Sequence, residues 1–118
     1  MNAAHIPTPG SAAWTEVCPL DAIWPDTGVA ARVGPHHVAV FRVGSDRVYA
    51  IDNIDPRSGA SVMARGLVGS LGERVVVASP LYKQHVDLAT GECVEDPALS
   101  VAVHPVRVEG GRVWVAAR

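Results

Sequence analysis

Apolar and polar positions alternate over short runs along most of this chain, and Gly, Pro, Asp or Ser breaks each run before it reaches helical length. A period of two with such punctuation predicts β-strands joined by turns. The runs fall at residues 14–18, 29–33, 37–43, 48–53, 74–78, 84–88, 104–108 and 113–116; the gaps hold Gly34-Pro35, Gly44-Ser45-Asp46, Thr90-Gly91-Glu92 and Gly110-Gly111. Two pairs of runs read as antiparallel hairpins. HHVAVFRV and RVYAID flank a short glycine-containing loop, and HPVRV and RVWVAA flank Gly110-Gly111, where glycine takes positive φ without steric cost. In the first hairpin Val38 and Val40 point to one face and Ala39 and Phe41 to the other. Both faces are apolar, which predicts a hairpin packed between two layers. Helical periodicity is nearly absent; residues 19–24 are the candidate for one short turn, with Asp21 as its cap. The fold class that follows is all-β, an antiparallel sandwich or small barrel.

One segment does not fit. Residues 54–72, IDPRSGASVMARGLVGSLG, begin with turn chemistry and continue with apolar residues of no steady period. They read as one long excursion, or as a short strand at Leu67-Val68 between two loops, and long excursions in compact domains are commonly functional.

Composition narrows the setting. The 118 residues suffice for one domain with a core that needs no disulfide. Residues 1–13, MNAAHIPTPGSAA, read as a flexible lead-in, and 14–118 as the domain. A net charge of −2 is too close to neutral for a nucleic-acid binder that must neutralise phosphates. Cys18 and Cys93 suit a reduced cytoplasmic protein, with a single bridge left open. There is no signal-peptide pattern, and no apolar run approaches the roughly 20 residues that cross a bilayer. The expectation is a cytoplasmic chain with no membrane partner.

The candidate chemistry lies in two loops, DPRSGA at 55–60 and SPLYKQHVD at 79–87, each stiffened by proline and crowded with polar groups. Together they resemble the cluster-binding loops of Rieske iron-sulfur domains, Cys-Pro-His-x-Gly-Ala and Cys-Pro-x-His followed by a Phe-Asp-x-x-Thr-Gly turn. Val86-Asp87-Leu88-Ala89-Thr90-Gly91 matches that turn. In the resemblance Asp55 and Ser79 stand where the cysteines would be, and Arg57 and Tyr82 where the histidines would be. A Rieske cluster needs two thiolates on one iron and two imidazoles on the other. Arg57 has a permanent charge and no free lone pair, Ser79 is a weakly acidic hydroxyl, and Asp55 is a hard oxygen donor. The expectation is no cluster and no metal on this chain, and Cys18 and Cys93 lie outside the loop frame. Asp55 and Arg57 have opposite charges, and Ser79 and Tyr82 carry hydroxyls, so hydrogen bonds could hold the loops together in place of metal.

Over nearly its whole length the chain is similar to the small subunit of assimilatory NAD(P)H-dependent nitrite reductase. The match runs through VCPL, VAVFRV, VYAIDNIDPRSGA, ARGLVGS, VVASPLYKQHVDLATGECVEDP and PVRVEGGRVWV, with SPLYKQH and NIDPRSGA its specific part. The resemblance implies a Rieske-like antiparallel β-sandwich of stacked small sheets, without a cluster or a catalytic residue of its own. It also implies a large-subunit partner that carries FAD, an iron-sulfur cluster and sirohaem, uses NAD(P)H, and reduces nitrite to ammonium in nitrate and nitrite assimilation. Arg57, Arg65, Tyr82, Lys83 and His85 are then candidates for a docking tip. Trp24, in AIWPDTG, is either a lid on the core or an anchor in a partner's pocket. Two other readings stand beside this one. A Rieske-type ferredoxin of a dioxygenase would need the Cys and His ligands the loops lack, and a cluster-less scaffold would bind some other partner.

Sharper chemistry is outweighed. Ser79, His85 and Asp87 suggest a hydrolase triad, but no strand-turn-helix nucleophile elbow accompanies them. A metal site from Asp55, His85 or His36-His37 is weak, because adjacent strand residues face opposite ways. His36-His37 and His104 read as strand-start residues, and Trp14 and Trp114 as core.

Overall fold

The computed structural model describes residues 14–116, so the lead-in over residues 1–13 lies outside the described residues. The strands are β1 Thr15–Pro19, β2 Thr27–Val33, β3 His36–Val43, β4 Arg47–Asp52, β5 Leu67–Leu71, β6 Arg74–Ala78, β7 His85–Asp87, β8 Val103–His104, β9 Val106–Glu109 and β10 Arg112–Val115. They form three antiparallel sheets in the orders β1-β10-β9, β2-β3-β4-β8 and β5-β6-β7. No helix among the described residues is long and apolar enough to cross a membrane.

The sheet containing β3 is the middle layer, and the alternation along β3 explains why. Val38 and Val40 join Val33 and Ala50 against Ile23, Val113 and Val115. Ala39, Phe41 and Val43 join Ile51 on the opposite face against Met63, Val77, Val86 and Leu88. The hairpin packed between layers is thus observed, with Val43↔Arg47 closing it around Gly44-Ser45-Asp46. The second predicted hairpin is β9–β10, closed by Glu109↔Arg112 around Gly110-Gly111. Full burial of a side chain such as Phe41, which is 0% exposed, contributes about 2–3 kcal/mol.

Four expectations change. Residues 104–108 are not one strand: Pro105 lacks an N–H for the ladder, and the chain passes there from β8, paired with β4, to β9, paired with β10. Residues 54–72 contain a full strand, β5, longer than Leu67-Val68. It follows a 3-10 turn at Met63–Arg65, and Gly66 is required between them, because a Cβ there would lie 2.6 Å from Val77 Cγ2 and closer still to the Ala78 carbonyl. The turn after β1 is a 3-10 turn, Leu20–Ala22, with Pro19 at its cap position and no side-chain capping bond from Asp21. Trp14 and Trp114 are half-buried and not part of the core. Val113 and Val115 take the inward positions of β10, which leaves Trp114 on the other face, while the Arg107 guanidinium lies 5.2 Å from the Trp14 ring centre. Cys18 and Cys93 are free thiols.

The register fixes where the loops emerge. Asp52 at the end of β4 pairs with Val38 near the start of β3, and Asn53 N–H donates to the His37 carbonyl at 2.9 Å. Loop 55–60 leaves from that end. Trp24 belongs to the other end, where Thr27 pairs with Arg42 and Asp26 N–H donates to the Arg42 carbonyl at 2.6 Å.

Candidate functional site

The two loops share one construction. Asp55 N–H donates to the Ala60 carbonyl and Gly59 N–H to the Asp55 carbonyl, both at 2.8 Å. Ser79 N–H donates to the Gln84 carbonyl at 2.8 Å and Lys83 N–H to the Ser79 carbonyl at 3.0 Å. Each first side chain also accepts from its own loop. Asp55 Oδ1 takes the N–H groups of Arg57 and Ser58, each at 2.8 Å, and Ser79 Oγ takes that of Leu81 at 3.2 Å. These are the local turns that Asp and Ser favour because a short polar side chain reaches the backbone two residues on. Each loop closes on a left-handed residue, Gly59 at φ 79° and Lys83 at φ 60°. Lysine in that region carries strain of about 1 kcal/mol, which the surrounding bonds sustain.

Two contacts then join the loops. Ser79 Oγ–H donates to Asp55 Oδ2 through a short hydrogen bond, with Asp55 0% and Ser79 1% exposed. The Arg57 guanidinium lies 5.7 Å from the centre of the Tyr82 ring, within cation–π range. The side chains at the two cysteine positions meet each other, and so do those at the two histidine positions. The hydrogen-bonded tie expected between the loops is therefore present at Asp55–Ser79. Between Arg57 and Tyr82 it is replaced by stacking, and Arg57 reaches Asp55 through its backbone N–H. Burial pushes the Asp55 carboxyl up, but donors from Ser79, Ser58 and Arg57 outweigh that and hold it below the usual carboxylate range.

This donor set does not suit a two-iron, two-sulfur cluster. It offers carboxylate and hydroxyl oxygens, a guanidinium and a phenol where thiolates and imidazoles are required. The Asp55 carboxylate and the Ser79 hydroxyl are, moreover, bonded directly to each other. No group of three His, Cys, Asp or Glu among the described residues is arranged to hold an ion.

The remaining candidates separate. Tyr82, Arg57 and Lys83 are exposed on the loops, and Arg65 is exposed on the turn before β5. His85 is tied to Glu95, which accepts from its backbone N–H at 2.8 Å and lies 2.6 Å from its Nδ1. Trp24 is 77% exposed, so it is not a lid, and it stands at the end of the middle sheet away from the loops. Ser79, His85 and Asp87 form no triad, since each has a different partner: Asp55, Glu95 and Arg74 respectively. His36 and His37 do face apart. The His36 ring lies 5.6 Å from that of His104, which bonds Asp52 at 2.7 Å, whereas His37 meets Arg32 at 2.7 Å. Ile54 and Leu81, absent from the candidates above, are exposed apolar residues flanking the polar loop positions. The available signal was an isolated apolar residue inside each turn.

Comparison with known proteins agrees with this geometry. Residues 13–116 match the family model of the Rieske-like [2Fe-2S] domain. The NADH nitrite reductase small subunit of Escherichia coli K12 is 46% identical over 85% of this chain and 94% of its own length. A Klebsiella oxytoca protein named nitrite reductase [NAD(P)H] large subunit is 46% identical over 86% of this chain, which spans only 11% of that protein. A crystal structure assigned as an NADH-dependent nitrite reductase small subunit from Mycobacterium tuberculosis superposes with a TM-score of 0.87 at 43% identity, covering 91% of this chain and 96% of that one. With the loop frame kept, the ligand set replaced and the family match running over residues 13–116, the chain belongs to the nitrite reductase small-subunit family of Rieske-like domains.

Proposed function

We propose that this chain is the accessory small subunit of an NAD(P)H-dependent nitrite reductase, supporting a sirohaem-containing large subunit without carrying a redox centre. The observation that carries the reading is the pairing at the tip, where Asp55–Ser79 and Arg57–Tyr82 do mechanically what a metal cluster does in a Rieske domain. A rigid tip with no electron-carrying group is suited to docking. FAD, sirohaem, the iron-sulfur cluster and NAD(P)H then belong to the large subunit, together with the chemistry of reducing nitrite to ammonium. The Klebsiella relative supports direct contact, because a protein named the large subunit there includes a segment similar to this chain. Arg57, Arg65, Tyr82 and Lys83 supply charge and an aromatic face to the docking surface, His85 braces it through Glu95, and Trp24 contributes from the far end. The complex is cytoplasmic.

The test is co-expression with the large subunit, followed by affinity purification and nitrite reduction assays with and without this chain. The expected result is co-purification in equal amounts, higher NAD(P)H-driven activity when the chain is present, and no iron in the chain alone. Stoichiometric iron and acid-labile sulfide in the isolated chain would overturn its redox-free role. Failure to co-purify at low salt would overturn the subunit assignment.

A further inference from the structure

The β5-β6-β7 sheet ends in an unprotected edge. β5 reads Leu67-Val68-Gly69-Ser70-Leu71, with no charge, no proline and no bulge, and Leu67 is 77% exposed. Folded proteins normally blunt such edges, and the other edges here are blunted. β1 has Glu16, Pro19 and a register shift; β2, the longest edge, carries the charge of Arg32; β8 has only two residues; β9 has Arg107 and Glu109; β7 has only three residues and bridges to Cys93.

The register shows which backbone groups β5 offers. Leu71 and Arg74 close a two-residue turn, so they exchange both hydrogen bonds, and Gly69↔Val76 and Leu67↔Ala78 repeat that arrangement. Val68 and Ser70 then direct their N–H and C=O groups away from β6. The opposite strand agrees, since the carbonyl of Val75, partner of Ser70, accepts from Leu88 N–H at 2.9 Å on the far side. Beside this edge lies a groove of about 350 Å³ lined by Asp26, Gly44, Arg47, Val68, Gly69 and Ser70, among others. A Cβ on Gly69 would meet nothing within 4 Å. The turn carrying exposed Trp24 forms the groove's other wall through Asp26 and is rigidly built. Asp26 holds a left-handed conformation at φ 63°, its carboxylate accepts Gly44 N–H at 2.9 Å, and Arg42 donates to the Ile23 carbonyl at 2.9 Å.

We propose that an extended segment of the nitrite reductase large subunit adds as a strand to the β5 edge, bonding the backbone of Val68 and Ser70 and packing beside Trp24. This deepens the subunit reading and rests on it. Two observations favour this occupant over a second copy of the chain. A five-residue edge falls well short of the roughly 1,200 Å² a stable interface buries, so the strand must belong to a partner held elsewhere as well. The tip offers that second hold: Leu67, the first residue of β5, pairs with Ala78, which directly precedes Ser79. In the Klebsiella relative, moreover, the segment similar to this chain lies within the large-subunit protein itself.

Amide hydrogen exchange of the wild-type chain, alone and bound to the large subunit, tests the proposal. On binding, exchange at Val68 and Ser70 slows at least tenfold, while Gly69 and Leu71, already bonded to β6, change little. Ser70→Pro removes the outward N–H without breaking a bond to β6 and weakens the complex at least tenfold, whereas Ser70→Ala leaves it unchanged. A complex that forms with no change at Val68 and Ser70 overturns strand addition and leaves the subunit assignment standing. Slowing that appears in the chain alone as its concentration rises assigns the edge to a second copy and overturns the proposed occupant. Absence of any complex overturns both.

Discussion

A single carboxylate carries much of the tip's order. Asp55 is buried and accepts from the Ser79 hydroxyl and from two backbone N–H groups, so deleting it strands three donors. Asp55→Ala is expected to cost about 2–4 kcal/mol in denaturant melts, in line with unsatisfied buried donors at 1–3 kcal/mol each after partial relaxation. Tyr82 contributes its ring face, so Tyr82→Phe is expected to stay within about 0.5 kcal/mol of wild type, while Tyr82→Ala loses about 0.5–1 kcal/mol of stacking. An equal effect of Phe and Ala in the same melts would contradict the stacking. The pH dependence follows from three carboxyls held below their usual range: Asp55 as above, the exposed Glu95, held down by the His85 N–H and ring, and Asp87. For Asp87, burial opposes the shift, and the Arg74 hydrogen bond with the Ala89 and Thr90 N–H groups outweighs it. A lowered native pKa means the unfolded chain binds protons first, so this stability is fully present above the ordinary carboxylate value of about 3.9 and is lost as pH falls through the native values. Acid titration of stability should therefore show a steep loss below about pH 4. Asp87→Asn should flatten it; an unchanged slope would mean that Asp87 is not the group protonated.

At the scale of elements, the legible parts of the chain were those in which local pattern and tertiary environment agree. The β3–β4 and β9–β10 hairpins could be read because alternation, turn glycines and burial coincide, and the two apolar faces of β3 announced its place between layers. β5 was only partly legible because four of its five residues are exposed, so burial left no period to find. The division at Pro105 was missed since Val103, His104, Val106 and Val108 keep a strand-like composition while changing sheets. At the candidate site, the frame and the four substituted positions were readable, but their pairing was not, because contact between Asp55 and Ser79 depends on two loops 24 residues apart. The Thr90-Gly91 turn shows the same dependence on tertiary context. Gly91 sits at φ 81°, donates to the Asp87 carbonyl at 2.7 Å and accepts Val101 N–H at 2.8 Å, and a Cβ there would collide with the Val101 carbonyl. Gly91→Ala combines a left-handed backbone with a backbone clash and is expected to cost about 2–4 kcal/mol, read as a lowered midpoint in urea. A loss below about 0.5 kcal/mol would show that the 87–101 segment can move away.

For the molecule as a whole, the question is whether the tip is a Rieske scaffold whose ligands alone have been exchanged. The three-sheet arrangement, the two matched loops and the match of residues 13–116 to the Rieske-like family make the backbone frame the retained part. The side-chain pairings agree, since the positions that would share one iron through thiolates touch each other and those that would share the other through imidazoles stack. Asp55→Cys, Arg57→His, Ser79→Cys and Tyr82→His together supply the two thiolates and two imidazoles that the cluster requires. Reconstitution of this quadruple variant with iron and sulfide under anaerobic conditions is expected to give two irons per chain and the visible absorption and paramagnetic signals of a Rieske centre. The wild-type chain, treated identically, is expected to retain no iron. Loss of the Asp55–Ser79 bond will lower the stability of the apo variant, so its fold is checked first by the dispersion of its amide spectrum. A folded variant that binds no iron would place the loops too far apart for a cluster and leave the wild-type pairings without their structural parallel. If metal restores the melting midpoint lost by the apo form, the hydrogen bond and the stacked pair are acting as a mechanical substitute for the cluster.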